Sequence, residues 1–247
     1  MEKTVSEAIS YRRSVRRFDP NKELNNELVR KCLENASLAP TSSNLQLWEF
    51  YHITDKKLLE KISKSCFDQP AAKTAKQMII TVVRKDLWKL RANSNIEFFN
   101  SKKNDMSRKQ FKMVNNYYKK VIPFVYKDFY GIISIFKYLF TYLIGIFRVM
   151  YRQVRNSDLR IVAHKSAALA SQNFMISMAG INYDTCPMEG FDSLRVKKIL
   201  KLNSRSEINM IIGCGIRLEE GVYGERFRIP FENIYFKKWL FVRFWYC

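Results

Sequence analysis

Histidine and glycine are both scarce in this 247-residue chain, and each scarcity removes a class of function. The two histidines, His52 and His164, lie in no metal-ligand pattern and near no Gly-x-Ser-x-Gly serine. The stretch Gly213-Cys214-Gly215 lacks the third glycine and the following helix of a dinucleotide-binding fingerprint. The side chains therefore offer little conventional catalysis, and we expect any enzymatic reaction to rest on a bound cofactor.

Paired cysteines and an apolar leader are also missing. The five cysteines include no Cys-x-x-Cys pair, which favours a reducing compartment where thiols serve as small apolar side chains. Residues 1–7 lack the apolar run of a signal peptide. We therefore expect a cytoplasmic protein.

Acidic residues are few, with 23 Asp and Glu against 43 Lys and Arg, so the formal net charge is +20. Such a charge favours anionic ligands, nucleic acid or an anionic membrane by long-range attraction, but it does not indicate a fold. The length allows one large domain or two small ones, and the 47% hydrophobic content indicates a globular chain with a substantial core. No internal repeat or flexible linker is evident, so we expect one domain, residues 1–247.

The most concentrated basic feature is residues 12–17, where Arg12, Arg13, Arg16 and Arg17 surround Ser14. Thr4 and Glu7 are spaced as a capping box, so the arginines follow a predicted first helix. Guanidinium groups and a hydroxyl suit a phosphate, although a solvated basic helix end is the alternative. Arg226 and Arg228 give a similar anion-binding capacity near the other end of the chain.

Apolar periodicity predicts the elements between these two basic segments. Helical spacing predicts helices over residues 24–38, 55–65, 158–180 and 193–202. Branched and aromatic residues predict strands over 48–53, 78–83 and 207–212. We expect loops at 39–46, 66–73 and 183–192.

A helical insertion is predicted at about residues 88–155, where the composition becomes first basic and then apolar. Aromatic residues interleave with the charges up to Lys120, so nucleic-acid binding is an alternative to a solvated helix face, but no motif accompanies them. Residues 129–151 carry only Lys137 and Arg148 as charges. We expect this segment to pack on protein, with a membrane-surface helix and a membrane span as alternatives, and Lys137 argues against the span.

Four segments, in this order, resemble the flavin-dependent nitroreductase family: residues 12–18, 39–48, 187–192 and 226–230. The resemblance covers residues 1 to about 85 and 156 to 236. It implies an α+β fold with a central mixed β-sheet flanked by helices. It also implies an intertwined homodimer with FMN at the subunit interface, in which residues 233–236 join the partner's sheet.

The resemblance also assigns cofactor-binding residues. Arg12, Arg226 and Arg228 would bind the FMN phosphate, with Arg13, Ser14 and Arg16 near the phosphate, ribityl chain or ring edge. Pro40, Thr41, Ser42 and Asn44 would approach the flavin from the other subunit, and Gln69 would hydrogen-bond the ring. Glu189 and Gly190 would place backbone groups beside the flavin N5, and Met188 belongs to the same loop. No catalytic side chain and no metal ligand is expected.

The implied activity is an oxidoreductase that passes hydride from NAD(P)H through FMN to an electron-poor acceptor such as a nitroaromatic or a quinone. Reductive dehalogenation or flavin fragmentation is related chemistry within the family. Leu47 departs from the family, which often has proline there, and the insertion occupies the region that selects substrate.

The alternative from another class is a non-catalytic basic adaptor that binds anionic membrane or nucleic acid. As partners we expect a second copy of the chain and a small acceptor, and no nucleic acid. Peripheral membrane contact through residues 129–151 remains open.

Overall fold

A computed structural model describes residues 2–127 and 132–238 of the chain. The helices in these ranges are α1 Val5–Tyr11, α2 Asn26–Ser37, α3 Lys56–Ser65, α4 Pro70–Thr74, α5 Trp88–Ser101, α6 Arg108–Asn116, α7 Ile122–Tyr126, α8 Ile132–Phe147, α9 Asn156–Gly180 and α10 Ser193–Ile199. The strands are β1 Trp48–Ile53, β2 Gln77–Val83, β3 Asp184–Met188 and β4 Glu207–Gly215.

Side-chain caps fix where five of these helices begin. Thr4, Asn25, Asp55, Ser107 and Asp192 each accept a hydrogen bond from a backbone N–H in the first turn of the helix that follows. Such a cap stabilises a helix by about 1 kcal/mol. The capping box predicted for Thr4 and Glu7 is confirmed, with Thr4 N lying 2.7 Å from a Glu7 carboxylate oxygen.

The four strands form one sheet in the order β1-β2-β4-β3, and every neighbouring pair is antiparallel. This corrects the expectation of a mixed sheet. The parallel pairing found among the described residues is an isolated bridge between Ser14 and Thr185. That bridge attaches the arginine-rich segment to the edge of the sheet.

Both faces of the sheet are covered, so every residue of β2 is buried. On one face, Ile80 and Ile211 pack with residues of α3 and α10. On the other face, Ile79 and Ile212 pack with residues of α2 and α9. A buried hydrogen bond of 2.9 Å between the hydroxyls of Thr81 and Ser171 joins β2 to α9. The α+β architecture, a sheet flanked by helices, is thereby confirmed.

The prediction of a loop at 183–192 is partly wrong, because Asp184–Met188 form strand β3. Asp184 and Pro187 gave this stretch the composition of a turn. Pro187 is tolerated because β3 is the edge strand of the chain's own sheet, where one side of the backbone needs no ladder partner. The predicted loop at 66–73 likewise contains the start of α4.

Where the structure describes them, residues 88–155 are mainly helical, through α5, α6, a π-helical turn at Tyr117–Val121, α7 and α8, and residues 148–155 form a non-helical connection to α9. Trp88, Ala92, Tyr118, Ile122 and Tyr126 pack against Leu159 and Ala163 of α9. The first three residues of the predicted apolar segment 129–151, residues 129–131, lie outside the described ranges. Among the described helices, none is long and apolar enough to cross a membrane. That this region is an insertion remains a prediction.

Candidate functional site

The arginine-rich segment and the distant tail meet in one cavity of about 250 Å³. From the N-terminal side it is lined by Arg12, Arg13, Ser14 and Arg16, and from the tail by Val222, Tyr223, Glu225, Arg226, Phe227 and Arg228. We call this the arginine pocket. The structure therefore brings together six of the predicted cofactor-binding residues, which lie at opposite ends of the sequence.

The backbone of residues 12–18 is held in place on both sides of the pocket. Helix α1 ends at Tyr11, and Val15 N then donates to the carbonyl oxygen of Thr185 at 3.1 Å. Arg16 N donates to the carbonyl oxygen of Gly221 at 2.6 Å. Val15 and Phe18 are fully buried in the core beneath. Val15 and Phe18 therefore anchor the segment in the core, while the side chains of Arg12, Arg13, Ser14 and Arg16 line the pocket.

The tail is tied to this segment by arginine side chains. Arg226 Nη2 donates to the carbonyl oxygens of Ser10, at 2.8 Å, and Arg12, at 2.5 Å. Arg13 Nη2 donates in return to the carbonyl oxygen of Gly224 at 2.9 Å. Gly224 has φ of +64°, a backbone conformation that glycine adopts readily. These contacts build the second wall of the pocket.

Positive charge accumulates in the pocket, where five arginines stand against one acidic residue, Glu225. Across residues 2–127 and 132–238, none of the five arginines in the pocket makes a salt bridge. Burial lowers the pKa of the Arg12 guanidinium, and the nearby Arg226 and Arg228 lower the same pKa further. Such mutual repulsion is relieved when an anion binds among the guanidinium groups.

The ion pair of Asp184 and Arg217 also supports the arginine-rich segment, and it was not predicted from the sequence. The backbone N–H and guanidinium of Arg217 both donate to the Asp184 carboxylate, the N–H at 2.8 Å. The guanidinium also donates to the carbonyl oxygen of Tyr11 at 3.2 Å and lies 4.2 Å from the centre of the Tyr11 ring. No local sequence signal links these residues, since Arg217 is 206 positions from Tyr11.

Gln69 contacts the loop that follows β3, outside the arginine pocket. Gln69 Nε2 donates to the carbonyl oxygen of Gly190 at 2.8 Å. Phe67 and Asp68, just before Gln69, have φ of 58° and 47°, values that are strained for residues other than glycine. Met188 is buried at the end of β3, whereas Glu189 and Gly190 are exposed. The structure therefore brings Gln69 and Gly190 together, as a shared ligand would require.

The loop at residues 40–46 lies at a different cavity, of about 290 Å³, lined by Ser42, Ser43, Tyr117, Val121, Ile122, Val125, Tyr126, Tyr151, Leu159 and Val162. It shares no lining residue with the arginine pocket. Pro40, Ser42 and Asn44 are exposed and Thr41 is half-buried. Within one chain, therefore, these four predicted residues do not join the other cofactor-binding residues.

Backbone strain marks this loop, because Ser43, Asn44 and Gln46 have φ of 55°, 49° and 46°. Helical residues of the 88–155 region hold it there. The Asn44 side chain donates to Asn95 Oδ1 at 2.8 Å, and the Tyr118 hydroxyl donates to the carbonyl oxygen of Ser43 at 3.0 Å. These supporting residues were missed, since only the fold brings them to the loop.

Both histidines have structural partners. His52 Nε2 lies 2.7 Å from Gln77 Oε1 on the adjacent strand, and His164 Nε2 lies 3.3 Å from a Glu207 carboxylate oxygen. In the part of the chain that the structure describes, no three His, Cys, Asp or Glu side chains are grouped so as to hold a metal ion.

A sequence model of the nitroreductase family matches residues 9–216, which include the first arginine segment, the 40–46 loop, Gln69 and the loop after β3. The chain belongs to the nitroreductase family.

Relatives and solved structures agree with this assignment. The chain is 28% identical to the protein DrgA of Synechocystis, over 91% of this chain and 89% of that protein. It is 26% identical to a Staphylococcus epidermidis protein named as an NAD(P)H nitroreductase, over 91% and 93% of the two chains.

Among solved structures, the nitroreductase YdfN of Bacillus subtilis superposes with a TM-score of 0.72 at 20% identity, over 94% and 98% of the two chains. A nitroreductase of Exiguobacterium sibiricum, whose structure is a complex with FMN, superposes with a TM-score of 0.67 at 19% identity, over 96% and 98%. These similarities show the nitroreductase fold.

Proposed function

We propose that this chain is an FMN-dependent oxidoreductase that uses NAD(P)H to reduce a small electron-poor acceptor, of the nitroaromatic or quinone class. The observation that carries the proposal is the arginine pocket, in which five guanidinium groups converge and none makes a salt bridge within the described part of the chain. FMN binding by one solved relative and the NAD(P)H named for a sequence relative support it.

The residues present fit FMN. Its phosphate is a compact anion that suits the guanidinium groups of Arg12, Arg226 and Arg228, because Arg226 and Arg228 both repel the charge on Arg12. Arg13, Ser14 and Arg16 line the same pocket and would contact the phosphate, the ribityl chain or the ring edge. Gln69, together with Met188, Glu189 and Gly190, would hold the flavin ring, with backbone groups of Glu189 and Gly190 beside its N5.

The flavin site is completed, in our proposal, by a second copy of the chain. The arginine pocket holds about 250 Å³, below the roughly 300–1,000 Å³ of ordinary ligand sites. The Pro40, Thr41, Ser42 and Asn44 loop lies at another cavity of its own chain, so these residues would act on the partner's flavin. The tail supports this arrangement, because Ile234, Tyr235 and Phe236 are 54–69% exposed and would be covered on the partner's sheet.

The residues bind and orient rather than transfer protons. FMN held by these residues would supply the chemistry of hydride transfer from the reduced nicotinamide to the acceptor. That chemistry depends on alignment and close approach, so it needs no protein acid or base, which fits the sparse catalytic side chains. The net charge of +20 favours the approach of a phosphorylated nicotinamide.

The experiment that tests this function is an acceptor panel. With oxygen excluded, full-length protein loaded with FMN should turn over NADH or NADPH catalytically only when a nitroaromatic or quinone is present. Turnover of halogenated substrates alone would instead indicate reductive dehalogenation. Absence of FMN binding, with steeply salt-dependent binding to nucleic acid, would favour the non-catalytic adaptor over the enzyme.

A further inference from the structure

Helix α8 presents its polar side to the protein and its apolar side to solvent, the reverse of an ordinary surface helix. Its buried residues are Ser134, Lys137 and Thr141. The opposite side carries residues that are 51–86% exposed: Ile132, Ile135, Phe136, Leu139, Phe140, Leu143, Ile146 and Phe147. Their spacing of three and four residues makes one continuous stripe, which we call the α8 apolar face.

Polar contacts fix which side of α8 faces outward. Lys137 Nζ donates to the carbonyl oxygens of Val125, at 3.2 Å, and Lys127, at 2.5 Å, at the end of α7. Arg152 Nη2 donates to the carbonyl oxygen of Gly145 at 2.6 Å. The Arg155 guanidinium lies 5.0 Å from the centre of the Tyr138 ring. Rotating the helix to bury the apolar stripe would break these contacts.

A stripe of this kind is larger than the isolated apolar residues that soluble surfaces normally expose, and it marks an interaction surface. The 16 residues of α8 rise about 24 Å, less than the roughly 30 Å hydrocarbon core of a bilayer. The helix is therefore suited to lie in the plane of a membrane surface rather than to cross it.

The charge around α8 selects the kind of surface. Between Asp105 and Asp158, the one acidic residue in the sequence is Asp128. The lysines and arginines in the same stretch are Arg108, Lys109, Lys112, Lys119, Lys120, Lys127, Lys137, Arg148, Arg152 and Arg155. Lys127, Arg148 and Arg152 lie just beyond the two ends of α8 and are exposed. This basic border is complementary to anionic headgroups.

We infer that the α8 apolar face docks on an anionic lipid membrane, with Phe136, Phe140 and Phe147 among the acyl chains and the bordering basic residues at the headgroups. A second copy of the chain is a poorer occupant, since it would bring the same positive border against this one. The inference does not depend on the flavin site, because it uses none of the residues of the arginine pocket.

Co-sedimentation of the full-length protein with vesicles tests the inference. We expect binding to vesicles of equal phosphatidylglycerol and phosphatidylcholine, falling with salt, and little binding to phosphatidylcholine alone. Phe136→Gln with Leu143→Gln should weaken binding about a hundredfold, or about tenfold for each buried side chain that is lost. Leu194→Gln is the matched control, because Leu194 is 76% exposed on α10, away from this face, and should leave binding unchanged.

A second measurement, the fluorescence of an introduced tryptophan, tests the inference without the glutamine variants. Phe140→Trp should give fluorescence that brominated lipids in the anionic vesicles quench, whereas Leu194→Trp should add no quenched component. Absence of vesicle binding, or equal binding to neutral vesicles, would overturn the inference. It would also be overturned if the Phe136→Gln and Leu143→Gln variant changed only the oligomeric state in light scattering, because a second copy would then cover the face.

Discussion

Arg226 donates from Nη2 to the main-chain oxygen of Arg12 at 2.5 Å, joining residues 214 positions apart. The contact leaves the Arg12 guanidinium itself uncompensated, since only its backbone is used. Both arginines line one cavity with Arg228. The positive charge of the pocket is therefore fixed by the fold, and no salt bridge neutralises these arginines among residues 2–127 and 132–238.

Loss of either arginine should weaken FMN binding without unfolding the protein. A hydrogen bond between charged groups contributes about 1.5–3 kcal/mol, so we expect Arg12→Ala or Arg226→Ala to raise the Kd about tenfold or more. Quenching of FMN fluorescence on titration measures this Kd. Arg195→Ala is the control, since Arg195 is a surface arginine with its side chain 75% exposed. An unchanged Kd in both pocket variants would contradict the phosphate assignment.

The Asp184 and Arg217 pair should matter to stability as well as to the site. The Asp184 side chain is 1% exposed, and removing its charge leaves the partly buried Arg217 guanidinium without its ionic partner. We expect Asp184→Asn to lower the free energy of unfolding by about 2–3 kcal/mol in urea titrations. Glu60→Gln removes an ion pair whose two side chains are both more than 60% exposed and should cause no measurable change. If Asp184→Asn and Glu60→Gln were equally stable, the ion pair of Asp184 and Arg217 would not stabilise the fold.

Stability should fall in acid partly because of Glu207. Burial raises the pKa of this carboxyl, but hydrogen bonds from Arg160 and His164 outweigh burial, so the pKa lies below its ordinary value of 4.5. Since the folded state holds the ionised form, the stabilisation is complete above about pH 4.5 and is lost as pH falls through the lowered value.

The corresponding measurement is the free energy of unfolding of wild type and Glu207→Gln between about pH 7 and about pH 3. The wild type should lose more stability on acidification than the variant. Glu34→Gln, at a carboxyl whose side chain is 63% exposed, should follow the wild type. If wild type and Glu207→Gln lost the same free energy of unfolding on acidification, the Glu207 carboxylate would not be a source of acid sensitivity.

Gly215, at the end of β4, leaves room for Phe18. A Cβ at this position would lie 2.6 Å from atoms of the Phe18 ring, closer than carbon atoms can pack. We expect Gly215→Ala to destabilise the protein by about 1–3 kcal/mol in thermal or urea unfolding. Gly180→Ala, where nothing lies within 4 Å of the added Cβ, should be tolerated. If both substitutions were equally mild, the Phe18 packing would not be tight.

Much of the fold could be predicted because its signals are local. The capping box at Thr4 and Glu7 and the alanine-rich periodicity of α9 are read directly from neighbouring residues. Strand β3 was missed because Asp184 and Pro187 resemble a turn, and its pairing with β4 comes from residues more than 20 positions away. Tertiary pairing therefore overrode a weak local preference.

The candidate site likewise contains residues that could be predicted from the sequence and residues that could not. Arg12 and Arg226 were recognisable as anion-binding residues, and the structure joins them in one pocket. The supporting contacts of Arg217 and of Tyr118 were not predictable, because they depend on side chains that meet only after folding. The part that a second copy of the chain would supply is, for the same reason, still a proposal.

The most direct test of the account is the absorbance spectrum of the purified full-length protein, after reconstitution with FMN and with exclusion of oxygen. We predict flavin bands that NADH or NADPH bleaches and that an electron-poor acceptor restores. A colourless protein that cannot be reconstituted, or a bound flavin that neither nicotinamide reduces, would contradict the central claim.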